Sequence, residues 1–222
     1  MEFLLENILN LIGFLVGLAI GIMSLIGFRN TGSPTLFRLT LAFFSISAGF
    51  FVIWAGYMVE DFVIKSGNIE RWIQTVGIVI QTVGYFFIAF SHSIKSFFPK
   101  SNYFRSVGFI PLFLVSSVQL EHIFRSVSFI LLVYGAIETM LSYFENKNKG
   151  AISVSVGLAF LALGEFLGWY SFMFPDSLLY PASMIIKIAG LIALFIPVSK
   201  VPLTKIKFDE GLEDDELDDK LK

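Results

Sequence analysis

The stretch "YPASMIIKIAGLIALFIPV", residues 180–198, places a single charged side chain, Lys187, near the middle of an apolar run. About 20 mostly apolar residues in a helix are enough to cross the hydrocarbon core of a bilayer. The run therefore predicts a transmembrane helix with a lysine at mid-membrane. A charge at that depth costs about 2.5–3.5 kcal/mol on insertion scales, which indicates a paired or functional group.

The composition of the whole chain is that of an integral membrane protein. Of its 222 residues, 55% are hydrophobic and only 15% are charged, and the mean hydropathy is +0.77. The absence of cysteine excludes disulfides and thiolate metal sites. No zincin, nucleophile-elbow or phosphate-loop motif is present. We therefore expect an all-α protein of the cell membrane that is not an enzyme, with no metal, cofactor or nucleic-acid partner.

Apolar runs separated by short polar stretches predict a bundle of seven transmembrane helices. They cover residues 6–28, 36–62, 71–94, 105–119, 121–144, 151–174 and 178–199. The helices form one transmembrane domain, residues 1–205. The acidic tail, residues 206–222, is almost free of large apolar side chains, so we expect it to be disordered.

The distribution of positive charge predicts the orientation of the bundle. With the N-terminus outside, ten lysines and arginines flank the inner ends of the helices: Arg29, Arg38, Lys95, Lys100, Arg105, Lys147, Lys149, Lys200, Lys205 and Lys207. Only Lys65, Arg71 and Arg125 flank the outer ends. This excess at one face follows the positive-inside rule. It places the N-terminus outside, and the C-terminus with its tail in the cytoplasm.

An internal repeat is visible when the chain is compared with itself. At an offset of 115 residues, "GFFVIWAGYMVED" (49–61) aligns with "GEFLGWYSFMFPD" (164–176), and at an offset of 106, Gln81 aligns with Lys187. The halves, about 6–94 and 121–199, would have the same orientation, with 105–119 as a connector helix. This 3+1+3 arrangement is a parallel repeat, and transporters built in this way often bind their solute between the halves near the midplane.

Several polar side chains fall near the depth of Lys187. With a rise of about 1.5 Å per residue, Gln81 and Glu165 lie within roughly one turn of the midplane, and Glu138 lies about a turn further inside. Glu165 has the opposite charge and a similar depth to Lys187, so we expect the two to pair. Tyr134 and Ser183 lie on the same helix faces as Glu138 and Lys187, and we include both among the candidate ligand or ion-site residues.

A ridge of glycines at intervals of four residues, Gly13, Gly17 and Gly21, marks the first helix. Small residues spaced in this way allow close helix–helix packing in lipid. We expect that packing to be within the chain, with a homo-oligomer as the alternative.

Three resemblances of layout bear on function. Seven helices with a mid-membrane lysine on the last, "SMIIKIAGLIAL", resemble the microbial rhodopsins, but Ser183 stands where that family has a carboxylate. The 3+1+3 order is similar to that of small sugar transporters built from parallel three-helix repeats, without their Pro–Gln signature. The layout also resembles the seven-helix input domains of membrane sensors, although no output domain follows the seventh helix.

These patterns favour a membrane protein that binds or transports a small solute or ion through a polar site at the midplane. The alternative is a sensor or scaffold subunit whose acidic tail binds a cytoplasmic protein, and a retinal-binding role is less favoured. In every case the lipid bilayer is the main partner of the chain.

Overall fold

The structure is a computed structural model that describes residues 2–62, 67–93, 117–146, 149–174 and 178–199. These residues form six α-helices: α1 (Glu2–Thr31), α2 (Pro34–Phe62), α3 (Gly67–Ser93), α4 (Ser117–Asn146), α5 (Lys149–Tyr170) and α6 (Leu179–Val198). A short 3-10 helix, Ser171–Met173, follows α5. Each of the six α-helices is long and apolar enough to cross a membrane. The described part of the chain is therefore a multi-pass helical membrane protein.

The predicted fourth span, 105–119, falls mostly outside the described residues. Its last three residues belong to α4, which begins at Ser117, so the predicted boundary at residue 120 is wrong. The stretch "SVQL" (117–120) contains neither proline nor glycine, and nothing in it stops a helix. The acidic tail and the domain boundary at residue 205 also lie outside the described ranges.

A glycine and a proline, each with unusual backbone properties, determine the turn between α1 and α2. Gly32 has a positive φ of 66°, and its N–H donates to the carbonyl of Phe28 at 2.7 Å. A glycine in this left-handed conformation is a common helix terminator. Pro34 then occupies the first position of α2, where its missing N–H costs no helical hydrogen bond. The result is a tight hairpin of two antiparallel helices.

The glycine ridge of α1 faces α2, so its close packing is within the chain. A Cβ atom added at Gly17 would lie 3.2 Å from the Cβ of Ser47, and one added at Gly21 would lie 2.8 Å from the ring of Phe44. A Cβ at Gly13 would likewise lie 2.9 Å from the ring of Phe50. The glycines thus allow α1 to approach α2 closely, as small residues do between membrane helices.

The six helices close into a ring, because each packs against its neighbours in the chain and α1 packs against α6. Two contacts define the relative direction of α3 and α4. Thr82 is hydrogen-bonded to Ser128 at 2.9 Å, and Gly135 lies beside Ala89. Residue numbers rise together along both helices, so α3 and α4 are parallel. The C-terminus of α3 and the N-terminus of α4 are therefore at opposite ends of the bundle.

The buried charged groups lie inside the ring beside an apolar core, and many large apolar side chains face outward. Arg125 and Glu165 are each only 1% exposed, whereas Ile130 and Phe144 are each 64% exposed. A soluble protein has the reverse arrangement, with charges at its surface. An apolar outer face, with the charged groups turned inward, is what a bilayer requires of a helical bundle.

Helix contacts in the first three helices have counterparts in the last three. A Cβ at Gly49 of α2 would contact Gln81 of α3, and a Cβ at Gly164 of α5 would contact Lys187 of α6. Gly164 lies 115 residues after Gly49, and Lys187 lies 106 residues after Gln81, which are the offsets found in the sequence.

The aromatic contacts correspond in the same way. The rings of Phe14 and Phe51 are 5.2 Å apart, and the ring of Phe51 is 5.7 Å from that of Trp54. Their counterparts at an offset of 115 are Phe129, Phe166 and Trp169. The ring centroids of these three residues are separated by 5.8 and 6.3 Å.

Candidate functional site

Lys187 and Glu165 form an ion pair inside the bundle. The Nζ of Lys187 lies 2.6 Å from Oε1 of Glu165, and the side chains are 5% and 1% exposed. Gly164 makes this approach possible, because a Cβ there would collide with Cγ of Lys187 and lie 3.3 Å from its backbone nitrogen. The lysine stem therefore lies across a glycine of α5. The pairing expected from the sequence is confirmed.

Arg125 of α4 joins this pair and extends it. Its Nη1 donates to Oε2 of Glu165 at 3.3 Å. Its Nε and Nη2 both donate to Oε1 of Glu121, at 3.0 and 2.8 Å. The four side chains form a chain of alternating charge, Glu121–Arg125–Glu165–Lys187, which we call the charged network. It connects α4, α5 and α6.

The charge pattern predicts Arg125 on the outer flank of its helix, and this prediction is wrong. Arg125 lies eight residues, more than two turns, after the start of α4 at Ser117, and it is 1% exposed. Hydropathy cannot tell whether a long side chain near a helix end turns outward to water or inward to a partner. A usable signal was present: Glu121 and Arg125 are four residues apart, so they share one helix face. Gly168 on α5 then leaves room for the guanidinium.

Two tyrosines border the charged network. The buried hydroxyl of Tyr85, on α3, is close enough to act on the Glu165 carboxylate, although no hydrogen bond joins the two. The guanidinium carbon of Arg125 lies 5.9 Å from the ring centre of Tyr180. The Tyr180 hydroxyl in turn accepts a hydrogen bond of 2.9 Å from Nε2 of Gln74, which links α3 to α6. Helices of both halves of the chain thus border the network.

Gln81 is buried but lies outside the hydrogen-bonded network. It is 1% exposed, and neither its amide oxygen nor its amide nitrogen has a hydrogen-bond partner among the described residues. It occupies the position in α3 that Lys187 occupies in α6, with Gly49 beneath it. A buried amide without partners is costly, since it loses its bonds to water.

The other candidates from the sequence lie apart from the ion pairs. The hydroxyl of Tyr134 donates to Oε1 of Glu138 at 3.1 Å, in a half-buried position further along α4. Ser183 is 1% exposed, and its hydroxyl donates to the carbonyl of Tyr180 at 2.7 Å. The structure therefore brings together Lys187 and Glu165, adds Arg125 and Glu121, and leaves Glu138, Tyr134 and Ser183 outside the network.

The buried charges balance. Two carboxylates and two cations alternate, so each charge has an opposite charge as its neighbour. Burying a pair of charges is tolerable when the geometry is good, whereas removal of one partner leaves an uncompensated charge. The network can therefore exist inside a bilayer as a neutral unit. It can accept a further charge only if one of its own is neutralised or displaced.

An apolar cavity lies toward the other end of the bundle. Its volume is ≈ 150 Å³, and it lies between α2, α3, α5 and α6. Its walls are Leu36, Leu39, Phe43, Ile88, Val154, Leu194, Pro197 and Val198. Two pairs of these residues, Leu39 with Val154 and Ile88 with Leu194, are related by the offsets of 115 and 106. The cavity therefore lies between α2 and α3 on one side and α5 and α6 on the other.

Comparisons with known proteins identify no family for this chain. No family model, no curated protein and no solved structure shows significant similarity to this chain.

Proposed function

We propose that this protein binds or moves a small solute or ion through a polar site near the midplane of the membrane. The observation that carries the proposal is the charged network, four ionisable side chains that are almost completely buried among helices that can span a bilayer. Ionisable groups at such depth are functional candidates by default, because each costs several kcal/mol to place there.

We propose further that the chain is a parallel repeat of two three-helix halves joined by a seventh transmembrane segment. The matching contacts of Gly49 with Gln81 and of Gly164 with Lys187 support the repeat. The parallel directions of α3 and α4 support a further crossing, since the intervening chain must connect opposite ends of the bundle. The positive-inside count supports an outer N-terminus, and it becomes ten to two once Arg125 is removed from the outer flank.

The arrangement of contacts favours movement of the two halves against each other. Within each half, glycines bring backbones close: a Cβ at Gly84 would lie 2.7 Å from the carbonyl of Ala42, and one at Gly190 would lie 2.8 Å from that of Gly157.

Between the halves, the bond of Gln74 to Tyr180 ties α3 to α6 at one end. The apolar cavity separates the same helices toward the other end. Two closely packed halves, joined by this bond at one end and with a cavity between them toward the other, fit an alternating-access carrier.

The proposal is tested with the purified protein in detergent and in liposomes. A panel of small anions, cations and neutral solutes is screened for an increase in the unfolding temperature, and active solutes are then assayed for uptake. We expect the double variant Lys187→Met/Glu165→Leu to fold but to lose binding and uptake. Deletion of residues 209–222 serves as the control and should preserve both.

The same experiment separates the competing function. If the protein were a sensor or scaffold acting through its tail, the double variant would keep its cellular function and the deletion would abolish it. That result, with no response to any solute, would contradict the proposal.

A further inference from the structure

The position of the Glu165 carboxylate suggests which solute the site takes, and this inference rests on the proposed function. The carboxylate lies between two cations, with Lys187 at 2.6 Å from one oxygen and Arg125 at 3.3 Å from the other. The Tyr85 hydroxyl lies beside it. An arginine, a lysine and a hydroxyl around a carboxylate are the groups that would bind a free carboxylate ion. Glu165 thus occupies an anion site built by its neighbours.

A cation fits this position poorly. Arg125 keeps its charge under all ordinary conditions, and it reaches the same carboxylate as Lys187. A cation bound at Glu165 would share one negative charge with two positive side chains in a medium of low dielectric constant. An anion meets the positive charges of Arg125 and Lys187 instead, of which Glu121 balances one, provided that Glu165 gives up its place.

Glu165 can give up its place to an anion without a change in total charge, if it takes up one proton as the anion enters. The charged and titratable groups around it are Arg125 and Glu121 from α4, Lys187 and Tyr180 from α6, and Tyr85 from α3. One carboxylate ion and one proton enter together: the proton neutralises Glu165, and the ion takes over the bonds to Arg125 and Lys187. The sum of charges in the bilayer is the same before and after.

We propose that the solute is a small monocarboxylate ion that binds together with one proton, which Glu165 holds. Gln81 supports this assignment independently. Its buried amide has no hydrogen-bond partner among the described residues, and it lies one turn before Tyr85 on α3. A solute with polar oxygen atoms would hydrogen-bond this amide and remove the cost of leaving it unpaired.

The experiment compares wild type with Glu165→Gln, in which the residue is permanently neutral. Acetate and propionate are the probes, and acetamide and methylammonium are the neutral and cationic controls. Thermal unfolding in detergent is followed from pH 5 to 8, and proton uptake is measured with an indicator dye. In wild type, acetate should bind with uptake of about one proton, and its affinity should rise about tenfold for each unit of pH lost.

Glu165→Gln should bind acetate at every pH without proton uptake, and Glu165→Gln/Lys187→Met should not bind it. Glu138→Gln, which removes a carboxylate outside the network, should behave as wild type. If Glu165→Gln does not fold, the wild-type affinity and proton uptake decide the question alone.

Stabilisation by methylammonium with proton release, or by acetamide without any proton, would overturn the monocarboxylate assignment and leave the proposed function standing. If no probe and no solute of the wider panel alters either protein, both proposals fail.

Discussion

At the scale of single residues, Glu165 is the centre of the buried charges, because it is the one carboxylate of the described residues that contacts both cations. Lys187 has one carboxylate partner within the described residues, whereas Arg125 also holds Glu121 through two nitrogens. The four side chains therefore differ in how much they depend on one another. Removal of Glu165 leaves Lys187 without a partner, but removal of Lys187 leaves Glu165 with Arg125.

This difference predicts an order of stability among three variants. Glu165→Leu should be the least stable, with a loss of about 3–5 kcal/mol, because it strands the buried Lys187 charge. The free energy of unfolding of Lys187→Met should fall clearly less, because Glu165 keeps Arg125 as its partner. The double variant should return close to wild type, since the remaining pair of Glu121 and Arg125 is neutral. Thermal unfolding in detergent measures all three, and equal losses for the two single variants would show that Arg125 does not support Glu165.

At the scale of the helices, glycines determine how close neighbouring segments come. Gly84 on α3 and Gly190 on α6 occupy corresponding positions, and each lies against the backbone of the helix before it. Gly135 on α4 is different. A Cβ there would lie 3.4 Å from Leu158 and 4.0 Å from Ala89, which is ordinary contact.

Alanine substitutions test this reading of the glycines. Gly84→Ala and Gly190→Ala should each cost about 1–3 kcal/mol, because the new methyl group overlaps a neighbouring backbone and forces the helices apart. Gly135→Ala is the matched control and should be neutral or slightly stabilising, since alanine favours the helix by about 1 kcal/mol. Unfolding temperatures in detergent check the comparison. A harmless Gly84→Ala beside a damaging Gly190→Ala would argue against equivalent halves.

At the scale of the whole molecule, the helix directions assign each turn to one face of the membrane. The turn between α1 and α2 and the end of α6 share one end of the bundle, and the end of α5 lies at the other. The proposed orientation puts the first end inside the cell. Because the chain has no cysteine, a single introduced cysteine is the one thiol that a reagent can label. Its labelling therefore shows on which side of the membrane that position lies.

We therefore expect Ser33→Cys and Ser199→Cys to react with a membrane-impermeant maleimide only after the cells are opened. Phe174→Cys, at an exposed position after α5, should react in intact cells. The wild-type chain is the unlabelled control. The opposite pattern would reverse the orientation, and labelling of all three positions from outside would contradict the alternation of the helices.

The sequence by itself determined the class of this protein, the positions of six apolar helices and the presence of the Lys187–Glu165 pair. These features follow from local properties: the length of apolar runs, and the depth of a charge along its own helix. A lysine and a glutamate at equal depth in a bilayer are stabilised by pairing, because no water is present there to solvate either charge.

Only the tertiary structure decided which other groups join that pair. Glu121 and Arg125 are visible in the sequence, but hydropathy leaves open whether a side chain near a helix end points to water or into the bundle. Gly168 on another helix provides the space for the guanidinium, and ring closure of α1 on α6 fixes which faces meet. Such contacts join residues far apart in the chain, and they arise from the packing of whole helices, which no local pattern specifies.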